Sequence, residues 1–244
     1  NCATASAMYA VLLEELAIPY VIKATTTHVF IIIDADNEPI MLESTDPVNG
    51  LVKINKGAYV KMLKNMKIIS EEDATNYSND ELYLLYADQD EERISFKELV
   101  GVLYMNSAIK AYEEQHFEVG ARLIQKGIVL RPTEMNKRLR VMGLCALLVD
   151  VNYEDTATLY PIVELLDYDL FKSQLISSAL GAFRQHCTKY LRDEYNPEKY
   201  YLLYNYWMRN LDSEKDKDLY NEIKFYHHFS QAITPIYRDE KNRT

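Results

Sequence analysis

The first fifty residues constrain this chain more than any other stretch. Asn1-Cys2-Ala3-Thr4-Ala5-Ser6-Ala7 opens an amphipathic helix that runs through Leu12, Leu13 and Leu16 and breaks at Ile18-Pro19. Positions 5, 8, 12 and 16 share one helical stripe, which predicts that this stripe packs into a core and that the helix start carries Cys2. An extended segment from Tyr20 to Ala24 follows, then His28-Val29-Phe30-Ile31-Ile32-Ile33 and Pro39-Ile40-Met41-Leu42-Glu43-Ser44-Thr45-Asp46-Pro47. The order is a cysteine at a helix start, a histidine heading a strand, and a carboxylate ending the next strand.

That order suits nucleophilic catalysis by a thiol. Only the thiolate is a good nucleophile, and a helix N-terminus stabilises it through partial positive charge and free N–H groups. A histidine beside it serves as general base and later as general acid, and a carboxylate behind the imidazole fixes its tautomer and stabilises its cation. Two carboxylates compete for the last role. A hairpin with a two-residue loop at Asp36-Asn37, or with a four-residue loop, pairs even positions of the first strand with odd positions of the second, so Glu43 shares His28's face. A three-residue loop reverses the assignment in favour of Asp46. Asp and Asn tolerate the positive φ of a tight turn, which makes Glu43 the preferred partner and Asp46 the reserve.

These residues resemble a known family. Asn1-Cys2-Ala3-Thr4-Ala5-Ser6-Ala7, Leu12 to Pro19, His28-Val29-Phe30-Ile31 and Glu43-Ser44-Thr45 look like the core of the bacterial transglutaminase-like superfamily. The resemblance implies a papain-like Cys-His-Asp triad that forms a thioester with a peptide or carboxamide, with Cys2 as nucleophile, His28 as base and Glu43 where the family has Asp. The chain departs from the pattern at Ala17 for glycine, Phe30 for tryptophan and Glu43 for aspartate. A complete domain of that family has helices and strands before the cysteine, so the resemblance implies a domain that starts upstream of Asn1. One oxyanion-hole donor is expected there too.

Composition narrows the partners. The 244 residues can hold one large domain or two modest ones, and 48% hydrophobic with 26% charged residues is ordinary for a soluble chain. A net charge of −10 without any basic block argues against nucleic acid. Cys2, Cys145 and Cys187 form no CxxC and no even framework, so neither a disulfide nor a zinc site is expected. No run of apolar residues is long enough to predict a membrane span, and no leader pattern is present. A lipid-acylated cysteine would lead a flexible tether, whereas Cys2 leads into a helix. The compartment stays open, with the cytoplasm leaned toward.

Downstream, Gly57 to Lys64 reads as a short helix, Ser70-Glu71-Glu72-Asp73 as an imperfect capping box, and the charge run Asp88 to Arg93 as a domain boundary. Ser95-Phe96-Lys97-Glu98 is a full capping box opening a helix to about Glu114. A turn at Gln115-His116 leads to a second helix, Phe117 to Leu130, stopped by Arg131-Pro132. This pair resembles a tetratricopeptide hairpin, with Ala108, Gly120 and Gly127 at the close-crossing positions. A degenerate second unit is expected over 136–167, and helices over 170–194, 197–210 and 213–235. The aromatic cluster Tyr195, Tyr200, Tyr201, Tyr204, Tyr206 and Trp207 reads as core, with an aromatic binding groove as the alternative. His227-His228 and His186-Cys187 are adjacent pairs that diverge on a helix and make poor metal ligands.

The expectation is therefore an α+β, mostly helical chain: a transglutaminase-like core over 1–92 and a tetratricopeptide-like helical region over 93–244. Its expected function is cysteine-dependent hydrolysis of an amide or peptide, with transamidation second, on a peptide or protein substrate and without cofactor or metal. The rival is a non-catalytic scaffold that binds a protein partner on its helical repeats.

Overall fold

The computed structural model describes residues 1–25, 28–33, 39–42, 50–53, 55–65, 69–87, 92–168 and 172–241. The fold is α+β and mostly helical, and it divides into two compact units. The first comprises residues 1–114 and 122–137, the second residues 115–121 and 138–244. The boundary expected at residue 92 falls inside the first unit. The reason is packing: the helix after residue 95 places Leu99 and Val102 in the sheet's own core.

The first unit is built on a five-stranded antiparallel sheet of order β4-β3-β2-β1-β5. Its strands are β1 (Tyr20–Ala24), β2 (Val29–Ile33), β3 (Ile40–Leu42), β4 (Leu51–Lys53) and β5 (Glu92–Ile94). Helix α1 (Cys2–Glu15) shares a core with the sheet and with helix α5 (Phe96–Glu113). Ala3, Ala10 and Leu13 of α1 meet Ile22, Ala24, Val29, Ile31, Leu42 and Ile94 of the sheet, and Leu99 and Val102 of α5. Between β4 and β5 lie α2 (Lys56–Asn65), α3 (Glu71–Asn76) and α4 (Asn79–Ala87), whose small core is Val60, Ile69 and Leu82.

The buried stripe of α1 corrects the sequence expectation. Ala3, Ser6, Ala10 and Leu13 are buried, whereas Met8, Leu12 and Leu16 are 65%, 55% and 67% exposed. The two stripes differ by two residues, close to half a turn of helix. Three of the four inner residues are small, which lets the helix backbone approach the sheet closely; Leu13 joins them, and Met8, Leu12 and Leu16 are left outside.

The ends of α1 are well determined. Asn1 is the N-cap, its side-chain oxygen accepting from the Thr4 N–H and hydroxyl at 3.0 Å each. At the other end Ile18 N–H donates to Leu13 O at 2.9 Å and Ala17 N–H to Glu14 O at 3.0 Å, the paired bonds of a Schellman stop. Ala17 adopts φ 53°, the left-handed conformation that glycine provides without steric cost.

Helix α5 begins with the predicted capping box: Ser95 Oγ accepts from Glu98 N–H, and Glu98 accepts from Ser95 N–H at 2.7 Å. Helix α6 (Phe117–Leu130) returns antiparallel to it. A Cβ on Gly127 would stand 3.3 Å from Gly101 O, and one on Gly101 only 2.9 Å from Arg131 Cβ. Ala108, Gly120 and Gly127 are all buried, as their spacing suggested.

The second unit holds the start of α6, the end of α7 (Glu134–Leu147), α8 (Tyr160–Leu165), α9 (Lys172–Thr188), α10 (Pro197–Asn210) and α11 (Lys217–Lys241). Its core is rich in rings: Phe183, Tyr190, Tyr200 and Trp207 are buried beside Leu159, Leu166, Leu203 and Ile223. Buried Arg140 donates to the Ala121 carbonyl and to Glu164, its Nε at 3.0 Å from Oε2. No helix among the described residues is long and apolar enough to cross a membrane.

Candidate active site

The first unit contains one cysteine and one histidine, Cys2 and His28. Cys2 is the first residue of α1 and is half-buried. The first turn of α1 carries no acidic side chain, so no local carboxylate opposes a thiolate there. Asn1 caps the turn through the Thr4 N–H, and a helix start favours negative charge.

His28 immediately precedes β2 at the mouth of the β1–β2 turn. Thr25 holds its backbone from the opposite strand: His28 N–H donates to Thr25 Oγ1 at 3.0 Å, and Thr25 N–H donates to His28 O at 2.8 Å. Residues 25 and 28 thus extend the β1–β2 register, in which Ala24 faces Val29 and Tyr20 faces Ile33.

Two contacts orient the cysteine helix along this hairpin. Near its start, the buried hydroxyl of Ser6 donates to the Val29 carbonyl at 3.1 Å. Near its end, Tyr20 OH donates to Glu14 Oε1 at 3.0 Å, and burial together with that carboxylate raises the Tyr20 phenol above its ordinary pKa. Helix α1 therefore runs parallel to β2, and its N-terminus lies at the end of the sheet where His28 stands. Cys2 is one turn before Ser6 on the same helical face, ~6 Å away along the helix. His28 is the neighbour of the residue Ser6 grips.

The faces of the sheet qualify this convergence. Alternation gives Val29 and Ile31 to the core under α1 and Phe30 and Ile32 to the opposite face. The His28 ring follows Phe30, stacking on it with centroids 5.8 Å apart and planes 22° from parallel. Any path from imidazole to thiol runs around the end of β2 rather than through the core. Lys23, only 4% exposed, stands opposite Phe30 in the register.

The β2–β3 register pairs Ile31 with Leu42, Ile32 with Met41 and Ile33 with Ile40. Even positions meet odd ones, the parity under which Glu43 was preferred over Asp46. Both carboxylates lie outside the described residues. No family model, curated protein or solved structure matches this chain. The site therefore rests on its own geometry.

Cys187, His186 and His227 sit among the rings of the second unit. Burial pushes the Cys187 thiol far up, which makes it unreactive. His186 stacks on Tyr153 at 5.6 Å, and His227 stacks on Tyr204 at 4.0 Å with its Nδ1 bonded to Tyr200 OH. Burial lowers the pKa of both imidazoles. No group of three or more His, Cys, Asp and Glu side chains that could hold a metal ion occurs among the described residues.

Sequence reading missed Ser6, Thr25 and Lys23. Ser6 was visible as the i+4 neighbour of Cys2, but a small residue in a helix carries no signal of its partner. Thr25 could be found only through the hairpin register. Lys23 interrupts the apolar run Val21-Ile22-Lys23-Ala24, and its burial follows from pairing on both sides, by β2 and by β5.

Proposed function

We propose that the chain carries out cysteine-dependent acyl chemistry, hydrolysing an amide or peptide bond through Cys2, His28 and a carboxylate, Glu43 with Asp46 in reserve. The carrying observation is the Ser6–Val29 contact, which ties the start of the cysteine helix to the strand end that presents His28. In the first step the Cys2 thiolate attacks the carbonyl carbon, and His28 gives a proton to the departing amine as the C–N bond breaks. The product is a thioester on Sγ. His28 then takes a proton from water, whose oxygen attacks the thioester and releases the acid and the thiolate. Water is the favoured acceptor because it competes well where no amine is presented, and nothing in the sequence shows an amine pocket. The likeness to transglutaminase-like proteins supports the same chemistry, and the α5–α6 pair with buried Ala108, Gly120 and Gly127 supports a tetratricopeptide-like hairpin.

A scaffold that binds a protein partner is the second reading. It is favoured by the stacking of His28 on Phe30, which gives the imidazole a packing role. It is also favoured by a cleft of about 490 Å³ in the second unit, lined by Phe117, Val119, Leu147 and Pro161 among others.

Iodoacetamide separates the two without a substrate. The catalytic reading expects Cys2 to alkylate quickly well below the free-thiol range of about 8.5, and to lose that advantage in His28→Ala. Alkylation that follows free-thiol behaviour in both proteins favours the scaffold.

A further inference from the structure

The Ser6 hydroxyl reaches out of its own helix. A serine inside a helix commonly turns its hydroxyl back to the carbonyl one turn earlier, as Ser107 does here, donating to Leu103 O at 2.9 Å. Ser6 instead donates to Val29 O, 23 residues away in sequence, and is fully buried. Hairpin geometry explains why that carbonyl accepts. Thr25 N–H donates to the His28 carbonyl across the hairpin, so the next pair, Ala24 and Val29, is the non-bonded kind, and Val29's carbonyl points away from β1. The Ser6 hydroxyl meets that carbonyl at 3.1 Å.

This bond joins the two halves of the candidate site through short backbone paths. On one side it is a single helical turn from Cys2, and on the other a single peptide from His28. We infer that Ser6 is a positioning residue for the acyl chemistry, a role that rests on the reading proposed above. Its hydroxyl sets the height of the cysteine helix against the strand head, and so the separation of thiol and imidazole. Ala3 and Ala10 hold the helix to the sheet by contact alone, which restrains sliding along the strand far less than a directed bond does. A shift of about an ångström at a reacting pair is costly.

The test compares the full chain with Ser6→Ala, Ser6→Thr and His28→Ala. Alkylation of Cys2 is followed by peptide mass spectrometry across pH, with thermal unfolding measured in parallel. Alanine keeps the volume and favours helix, so Ser6→Ala is expected to fold, and threonine restores the hydroxyl. The expected result is a wild-type Cys2 that alkylates quickly near neutral pH and slows in His28→Ala. Ser6→Ala should slow it at least ~3-fold at pH 7 by moving the profile toward free-thiol behaviour, with Ser6→Thr recovering much of the rate. If Ser6→Ala lowers the unfolding temperature but keeps the wild-type profile, Ser6 is merely structural and the inference falls while the acyl reading stands. If wild-type Cys2 already behaves as a free thiol and ignores His28→Ala, both fall together.

Discussion

The two units solve the same packing problem with different materials. The first sets small residues of α1, namely Ala3, Ser6 and Ala10, against an aliphatic sheet. The second fills its interior with Phe183, Tyr190, Tyr200 and Trp207. The choice bears on what surrounds the reactive side chains. In the ring-filled unit, rings take up some of them: His186 stacks on Tyr153, His227 on Tyr204 and Tyr200, and Cys187 lies inside, while Cys145 is half-buried. In the small-residue unit a helix can lie close enough to the sheet for its first turn to reach a strand end, and Cys2 and His28 remain half-buried there. Small residues at the contact between helix and sheet are what bring the first turn of α1 to the strand head beside His28.

The largest effect should come from breaking the ring-filled core. Trp207→Ala removes a fully buried indole from a cluster of rings and is expected to cost about 3–5 kcal/mol, read as a fall in the urea midpoint. Because Trp207 belongs wholly to the second core, the Cys2 alkylation profile should not change under native conditions. A profile that changes with it would mean the two cores are not energetically separate.

Close approach in the first unit is the next target. Gly101→Ala puts a Cβ at 2.9 Å from Arg131 Cβ and 3.3 Å from Arg131 N, against backbone that cannot swing aside. Overpacking of that kind should cost about 1–3 kcal/mol in a denaturant titration. Stability equal to the wild type would show that α5 and α6 do not need glycine to approach one another.

How much of this was legible in the sequence depended on whether the signal was local. The Ser95 box, the Pro132 stop and the extended segments of β1 and β2 were readable because caps, breakers and short apolar strands act through a few neighbouring residues. The face of α1 was not, because apolar pattern favours Leu12 and Leu16, whereas three of the four inner residues are small. Strand β5 was hidden inside a charge run: Glu92 and Arg93 are exposed, Ile94 alone is buried, and only pairing with β1 makes the segment a strand. At the site, Cys2 at a helix start and His28 at a strand head were readable by position. Their link through Ser6 was not, since a hydrogen bond between residues 23 apart leaves no periodic trace. Glu43 and Asp46 lie outside the described residues, and the register of the strands before them supplies parity alone.

A smaller effect would sharpen the account of where the cysteine helix ends. Ala17→Gly relieves a left-handed alanine at the Schellman position and should stabilise the chain by about 0.5–1 kcal/mol, part of the strain being offset by glycine's freedom in the unfolded chain. An unchanged or lower unfolding midpoint would mean that Ala17 carries no strain. The smallest expected effect is on pH. Burial and the neighbouring His228 hold His227 below the ordinary imidazole pKa, and burial does the same to His186. The unfolded chain therefore binds protons first as pH falls below ~6.5, so stability is fully present above that value and is lost toward the lower folded pKa. Unfolding midpoints measured from pH 7 to 5 should fall, and His227→Phe should flatten the decline. A rise on acidification would contradict the packed neutral imidazoles.

The central claim is that Cys2 and His28 act together on an acyl group, and an activated acetyl ester tests it most directly. Mass spectrometry should find an acetyl group on Cys2 sooner than on Cys145, and the adduct should clear as water takes the acyl group. In His28→Ala the acetylation of Cys2 should slow to the rate at Cys145, and any adduct formed should persist. Equal acetylation of Cys2 and Cys145, indifferent to His28→Ala, would contradict the account.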